Sequence, residues 1–171
     1  MSADGSQTTS GARKFGTSIM LICTFKLNGL PMSALEVGSR SFPAFSGLGT
    51  RVNKREYACI KGWGPIPPGS YFVIDRQQGG LLGPLRDLFS GRGDWLALYA
   101  DDGTVDDETL CDQVKRGNFR LHPKGPLGRS EGCITINSVA DFSVIRMIIR
   151  SGAPTAIEGS QLKAYAKVIV T

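Results

Sequence analysis

The chain has 171 residues, 41% hydrophobic and 20% charged, enough for one domain with a sizeable core. Its net charge of +5 comes from scattered Lys and Arg, with no basic run interleaved with aromatics. That argues against a nucleic-acid partner and leaves room for an acidic polymer such as bacterial cell wall. The apolar run IMLICTF has only seven residues, too short to cross a bilayer, so no membrane insertion is expected.

Twenty-two glycines and nine prolines favour a β-rich fold with many short loops. Residues 1–17 are polar and rich in small side chains, and read as a flexible N-terminal tail. Residues 18–171 read as a single domain, with no internal repeat. No secretory signal is evident. The expectation is a protein made in the cytoplasm and carried outside, if it works there, by something other than a standard export signal.

IMLICTFKL, 19–27, is rich in β-formers and precedes Asn28-Gly29, a hairpin signal, and a second short strand near 33–37. RSFPAFSGLGT, 40–50, mixes aromatics with Pro, Ser and Gly and reads as a packed loop. A Pro/Gly corner leads into the strand SYFVID, 70–75. LGPLRDLFSG, 82–91, reads as a short helix ended by glycine, and DWLALYA, 94–100, as a strand. DDGTVDDE, 101–108, reads as a solvated acidic loop, since it lacks the ligand spacing of a calcium loop.

NFRLHP, 118–123, and GCITIN, 132–137, read as strands. SVADFSVIRMIIRSG, 138–152, is the clearest helix: Ser138 caps it, Asp141 sits in the first turn, and Val139, Phe142, Ile145 and Ile149 fall on a core face. KAYAKVIVT closes the chain as a strand. The expectation is a mainly β (α+β) domain with about two short helices.

Cysteines stand at 23, 59, 111 and 133. No CxxC and a single histidine give no zinc ligand set, so no metal is expected. Cys23 lies in an apolar run and reads as buried; Cys59 and Cys111 read either as buried thiols or as a disulfide. Cys133 follows the lone His122 by eleven positions, across a return loop with three glycines. A neighbouring imidazole is one way to make a thiol nucleophilic, by holding its proton as an ion pair. Such a thiol is expected to react with iodoacetamide well below pH 8. Gly132 permits close backbone approach, and the N–H groups of Gly132 and Cys133 are candidate oxyanion donors.

Papain-like enzymes place Cys before His, and sortases place His first but at a much longer gap. The order here, His122 followed by Ser130, Gly132, Cys133 and Ile134, resembles the L,D-transpeptidase motif. GPIPPGSYFVID, 64–75, resembles the Pro-Gly strand entry of the same enzymes. More closely, FPAFSG, GPIPPGSY, RGNFRLHP and SEGCI together resemble the type VI secretion L,D-transpeptidase effectors, a compact relative of the YkuD-type L,D-transpeptidases. Two positions depart from the wider family: Glu131 stands where His is usual, and Thr135 where Arg is usual.

The resemblance implies an L,D-transpeptidase-like β-sandwich and a cysteine enzyme without a cofactor. It implies Cys133 as nucleophile, His122 as general base and acid, and Gly132 as oxyanion donor. Ser130 either supports the site or structures its loop. Arg120, Arg129 and Lys124 are candidate contacts to substrate carboxylates, and Tyr71 is a candidate groove wall. The implied partners are the peptidoglycan stem peptide, a cognate immunity protein and a secretion-system component, with action in the periplasm of a target bacterium. The implied reaction is L,D-carboxypeptidase cleavage between meso-diaminopimelate and D-alanine, or exchange with D-amino acids. A housekeeping cross-linking enzyme and a catalytically inactive wall-binding module are the competing readings.

Overall fold

A computed structural model describes residues 20–75 and 94–171. The expected N-terminal tail and the expected helix at 82–91 lie outside the described residues. Twelve strands are described: β1 (Leu21–Phe25), β2 (Ser33–Val37), β3 (Arg40–Phe45), β4 (Gly69–Asp75), β5 (Leu96–Ala100), β6 (Glu108–Cys111), β7 (Val114–Gly117), β8 (Arg120–Pro123), β9 (Ile134–Ile136), β10 (Thr155–Ala156), β11 (Lys163–Ala164) and β12 (Ala166–Val170). One α-helix, α1 (Val139–Arg150), follows β9, and two 3-10 turns, Gly49–Arg51 and Arg55–Tyr57, lie between β3 and β4.

Eight strands close into a barrel in the order β1-β12-β4-β5-β8-β9-β3-β2. This corrects the β-sandwich expectation. Every one of these strands has two hydrogen-bonded neighbours, so no free edges remain from which two stacked sheets would be made. Two of the pairs, β1–β12 and β8–β9, are parallel; the others are antiparallel.

Alternation fills the interior. Cys23 and Phe25, Leu35 and Val37, Phe42 and Ala44, Tyr71 and Val73, Leu96 and Leu98, Leu121, Ile134 and Ile136, Ala166 and Val168 form one buried cluster. Each large member contributes on the order of 1.5–3 kcal/mol by leaving water. β5 is buried along its whole length, because Ala97 and Tyr99 meet Phe72, Ile74, Ile157 and Ala164 in a second cluster outside the barrel.

The segment expected as a loop at 40–50 begins as β3. Phe42 and Ala44 point inward, and Pro43 is tolerated because β9 pairs only with Ala44 and Phe45. In α1, Ser138 accepts a hydrogen bond from the Asp141 N–H at 3.1 Å, and Phe142, Ile145 and Ile149 are buried. Val139, expected on that face, is 64% exposed: it is the first helical residue and has little to pack against. None of the described helices is long and apolar enough to cross a membrane.

The β6–β7 hairpin was not legible in the sequence, because its turn residues Asp112 and Gln113 adopt positive φ (46° and 65°) without a glycine to signal it. The open choice for Cys59 and Cys111 resolves as a disulfide, which ties this hairpin to the segment after the second 3-10 turn. It bridges 52 positions of chain. Replacing both cysteines with alanine is expected to lower stability by about 4 kcal/mol, roughly 10 °C in Tm. An unchanged thermal midpoint in the double variant contradicts that clamp.

Candidate active site

The parallel register of β8 and β9 places His122 opposite Thr135, with Leu121 opposite Ile134. Leu121, Ile134 and Ile136 belong to the barrel interior, so the alternate residues His122 and Thr135 face outward. Cys133 is the residue before β9. Its thiol lies 3.8 Å from the Asn118 carbonyl and receives a hydrogen bond from the Arg120 backbone. The thiol therefore sits at the entrance of the same strand pair that carries the histidine.

His122 is held on several sides and is only 6% exposed. Its Nδ1 lies 2.8 Å from the Pro123 carbonyl oxygen. A carbonyl only accepts, so Nδ1 carries a proton. Nε2 lies 3.4 Å from Thr135 Oγ1. The Trp95 ring stacks on the imidazole, with centroids 4.2 Å apart and planes at 17°. The antiparallel pairing of Leu96 with Leu121 carries Trp95 alongside His122. A backbone carbonyl thus occupies the orienting position that an acid holds in a triad.

The turn before Cys133 is fixed from both sides. Ser130 is 1% exposed; its hydroxyl donates to the Cys133 carbonyl at 2.7 Å and accepts from the Gly47 N–H at 3.3 Å. Gly132 has φ +112°, and a Cβ there would stand 2.7 Å from Arg116 Nη2 and 3.0 Å from Phe119 Cε1. Only glycine fits both the backbone and the space. Arg116 is itself 3% exposed and bonds the carbonyls of Ala58, Gly64 and Pro65. It packs the segment carrying Cys59 against the turn carrying the thiol.

Burial pushes the Cys133 thiol up to about 11, against the opposing pull of the Arg120 backbone hydrogen bond and of the Arg120 charge. Arg120 gives limited help because its guanidinium is held by both carboxylate oxygens of Asp107. The carboxylates of Glu131 and Asp107 push the thiol further up. Cys133 therefore rests as a neutral thiol. This corrects the expectation of a low-pKa cysteine reacting well below pH 8. Cys23, at the centre of the barrel, is also pushed up by burial, to about 12.

The thiol opens on a cleft of about 330 Å3 lined by Lys61, Gly62, Glu108, Lys115–Asn118, Glu131 and Cys133 itself. A larger depression of about 600 Å3 lies elsewhere, lined by residues including Ile22, Phe72 and Lys167, and holds neither Cys133 nor His122.

The other residues singled out in the sequence are dispersed. Tyr71 is inside the barrel, its hydroxyl donating to the Pro67 carbonyl. Lys124 and Arg129 are exposed on the 124–133 connection and do not line the thiol's cleft. Arg120 is on the right strand, yet Asp107 takes the contacts proposed for a substrate carboxylate. Trp95, Asn118 and Arg116 went unassigned in the sequence. Asn118, at φ +58°, is a residue type tolerated in the left-handed region, which is a weak signal for a turn that turns its carbonyl toward a thiol.

The family model of the Tlde1 domain matches residues 40–159, which include every residue of the site. No curated protein and no solved structure shows a significant match to the chain.

Cys133 is the one half-exposed free thiol, since Cys23 is buried and Cys59 and Cys111 are bonded. The thiolate reacts and the thiol does not, so the reactive fraction rises with pH until the folded pKa is reached. Iodoacetamide is expected to label one site, at pH 7 roughly a hundredfold more slowly than an ordinary exposed cysteine, with a rate still climbing at pH 9. A rate plateau below pH 8 contradicts the neutral resting thiol.

Proposed function

The chain belongs to the Tlde1 domain family, the domain of type VI secretion effectors with L,D-transpeptidase-related activity, and from that premise we propose a specific reaction. Cys133 acts on peptidoglycan stem tetrapeptides through a thioester. The observation that carries the reading is the β8–β9 register, with a tautomer-fixed His122 on the strand beside the one that Cys133 leads.

The proton on Cys133 Sγ passes to His122 Nε2 as sulfur attacks the carbonyl at the L-centre of the third residue, meso-diaminopimelate. The N–H groups of Gly132 and Cys133 hold the developing oxyanion. The C–N bond to D-alanine breaks, and the imidazolium returns its proton to the leaving amine. Water then cleaves the thioester, giving L,D-carboxypeptidase action, or the amine of a D-amino acid does, giving exchange. With a neutral resting thiol, His122 works as a general base in the transition state rather than as a standing ion-pair partner.

Both outcomes remove or replace the donor that cross-linking needs. The fitting setting is the periplasm of a target bacterium, reached by type VI delivery. A producing cell then needs a cognate immunity protein.

The test is mass spectrometry of purified muropeptides incubated with the protein, with and without added D-methionine. Tetrapeptide is expected to convert to tripeptide, and to a D-methionine tetrapeptide when the amino acid is supplied. Cys133→Ala is expected to abolish both products, and His122→Ala to slow them by roughly 100-fold or more. Tetrapeptide left unchanged by the wild-type protein in both incubations overturns the reading.

A further inference from the structure

The torsion that turns a histidine ring has broad, roughly two-fold wells. Neighbours must therefore decide which edge of the ring faces where and in which plane it lies. His122 is the single histidine of the chain. The Pro123 carbonyl, 2.8 Å from Nδ1, settles the edge. A hydrogen bond to one atom still lets the ring tilt about that contact. Thr135 Oγ1, at 3.4 Å from Nε2, is a longer and weaker hold on the far edge.

The plane is set by Trp95. Extending the antiparallel register of Leu96 with Leu121 by one residue puts Trp95 opposite His122, and the parallel register puts Thr135 on the other side. Leu96 and Leu98 point into the barrel while Ala97 and Tyr99 join the outer cluster, so Trp95 shares the outer face with His122. The indole and imidazole lie face to face, with centroids 4.2 Å apart and planes at 17°. The indole is itself anchored. Leu96, the next residue, pairs with Asp75 on one side and Leu121 on the other, and Asp94, the residue before, bonds Arg146 of α1 at 2.8 Å. Trp95 is not among the residues lining the thiol's cleft.

We infer that Trp95 is a positioning residue for His122: its indole fixes the plane of the imidazole, so that Nε2 keeps one direction while a proton moves on and off it. The inference deepens the reaction proposed above and rests on it for the kinetic part of its test. The electron-rich indole face attracts positive charge, so the contact persists when the ring takes up the proton of the thiol and becomes a cation. An aliphatic side chain in its place would fill the space without defining a plane.

With one histidine in the chain, protein labelled with 13C and 15N in histidine alone gives one set of imidazole signals. In the wild-type protein the carbon-bound ring protons are expected upfield of an unstacked histidine's, displaced by the ring current of the indole. The Nδ1–H signal is expected to exchange slowly with water. Trp95→Leu is expected to return the ring protons toward unstacked values and to speed Nδ1–H exchange by roughly tenfold. In tetrapeptide trimming, Trp95→Leu is expected to lose roughly tenfold in kcat with KM changed by less than about twofold, and Trp95→Phe to recover to within about threefold of wild type. A side chain that merely supported the fold would lower Tm without that split between kcat and KM.

The ring signals need no turnover. Tetrapeptide left untouched by the wild-type protein counts against the reaction proposed above, and the ring signals then decide the positioning by themselves. The wild-type signals and Trp95→Phe decide it even where Trp95→Leu does not fold. Unstacked ring-proton positions in the wild-type protein overturn the inference. So does a folded Trp95→Leu protein with wild-type kcat or unchanged Nδ1–H exchange, or a Trp95→Phe protein that has lost tenfold or more in kcat.

Discussion

The parallel pairing of β8 with β9 is the constraint on which the rest of the site depends. Parallel neighbours cannot be joined by a tight turn. The chain must leave β8 at Pro123, travel through residues 124–133 and re-enter at Ile134. That connection brings Cys133 back beside the strand that carries His122. The register also decides which faces are used: Leu121, Ile134 and Ile136 seal the barrel, while His122 and Thr135 look outward. A one-residue slip would exchange the two sets, burying an imidazole in hydrocarbon and exposing three core side chains. Core packing and the placement of the candidate pair are therefore one interaction.

Around this pair, buried and half-buried polar side chains hold the frame. Arg116 collects three carbonyls, Ser130 ties the thiol's turn to Gly47, and Asp107 grips Arg120. The disulfide joins the hairpin and the 55–62 segment that wall the cleft. The result is a fixed cleft with a protonated thiol in its lining. In the proposed reaction, fixed geometry lets the histidine act when substrate arrives, and a neutral thiol limits side reactions before it does. Thr135 places a hydroxyl 3.4 Å from His122 Nε2.

Much of the fold was legible because period-two alternation survives in β1, β2 and β12, while β4, β5 and β9 read as short apolar runs of β-formers. The terminal helix was legible from its cap and its 3.6-residue spacing, except at Val139, where propensity says nothing about whether a partner surface exists. Barrel closure was not legible, since alternation is the same in a sandwich and in a closed sheet. The strand at 40–45 was masked by Pro43, whose tolerance depends on where its neighbour's ladder stops. In the site, His122 and Cys133 stood out by order and spacing. The thiol's high pKa did not, because burial and the Asp107–Arg120 pairing are tertiary properties. Arg120 looked like a substrate contact for the same reason: its sequence neighbours do not reveal that Asp107, thirteen positions earlier, will claim it.

A thioester on Cys133 distinguishes this chemistry from wall binding and from any route that releases D-alanine without the cysteine. The direct measurement is the mass of the protein after rapid mixing with tetrapeptide and acid quench, followed by mapping of the modified peptide. The predicted result is an adduct equal to the tetrapeptide less D-alanine, carried by the peptide containing Cys133 and absent from Cys133→Ala. Release of D-alanine by the Cys133→Ala protein at the wild-type rate, with no adduct on either, would contradict it.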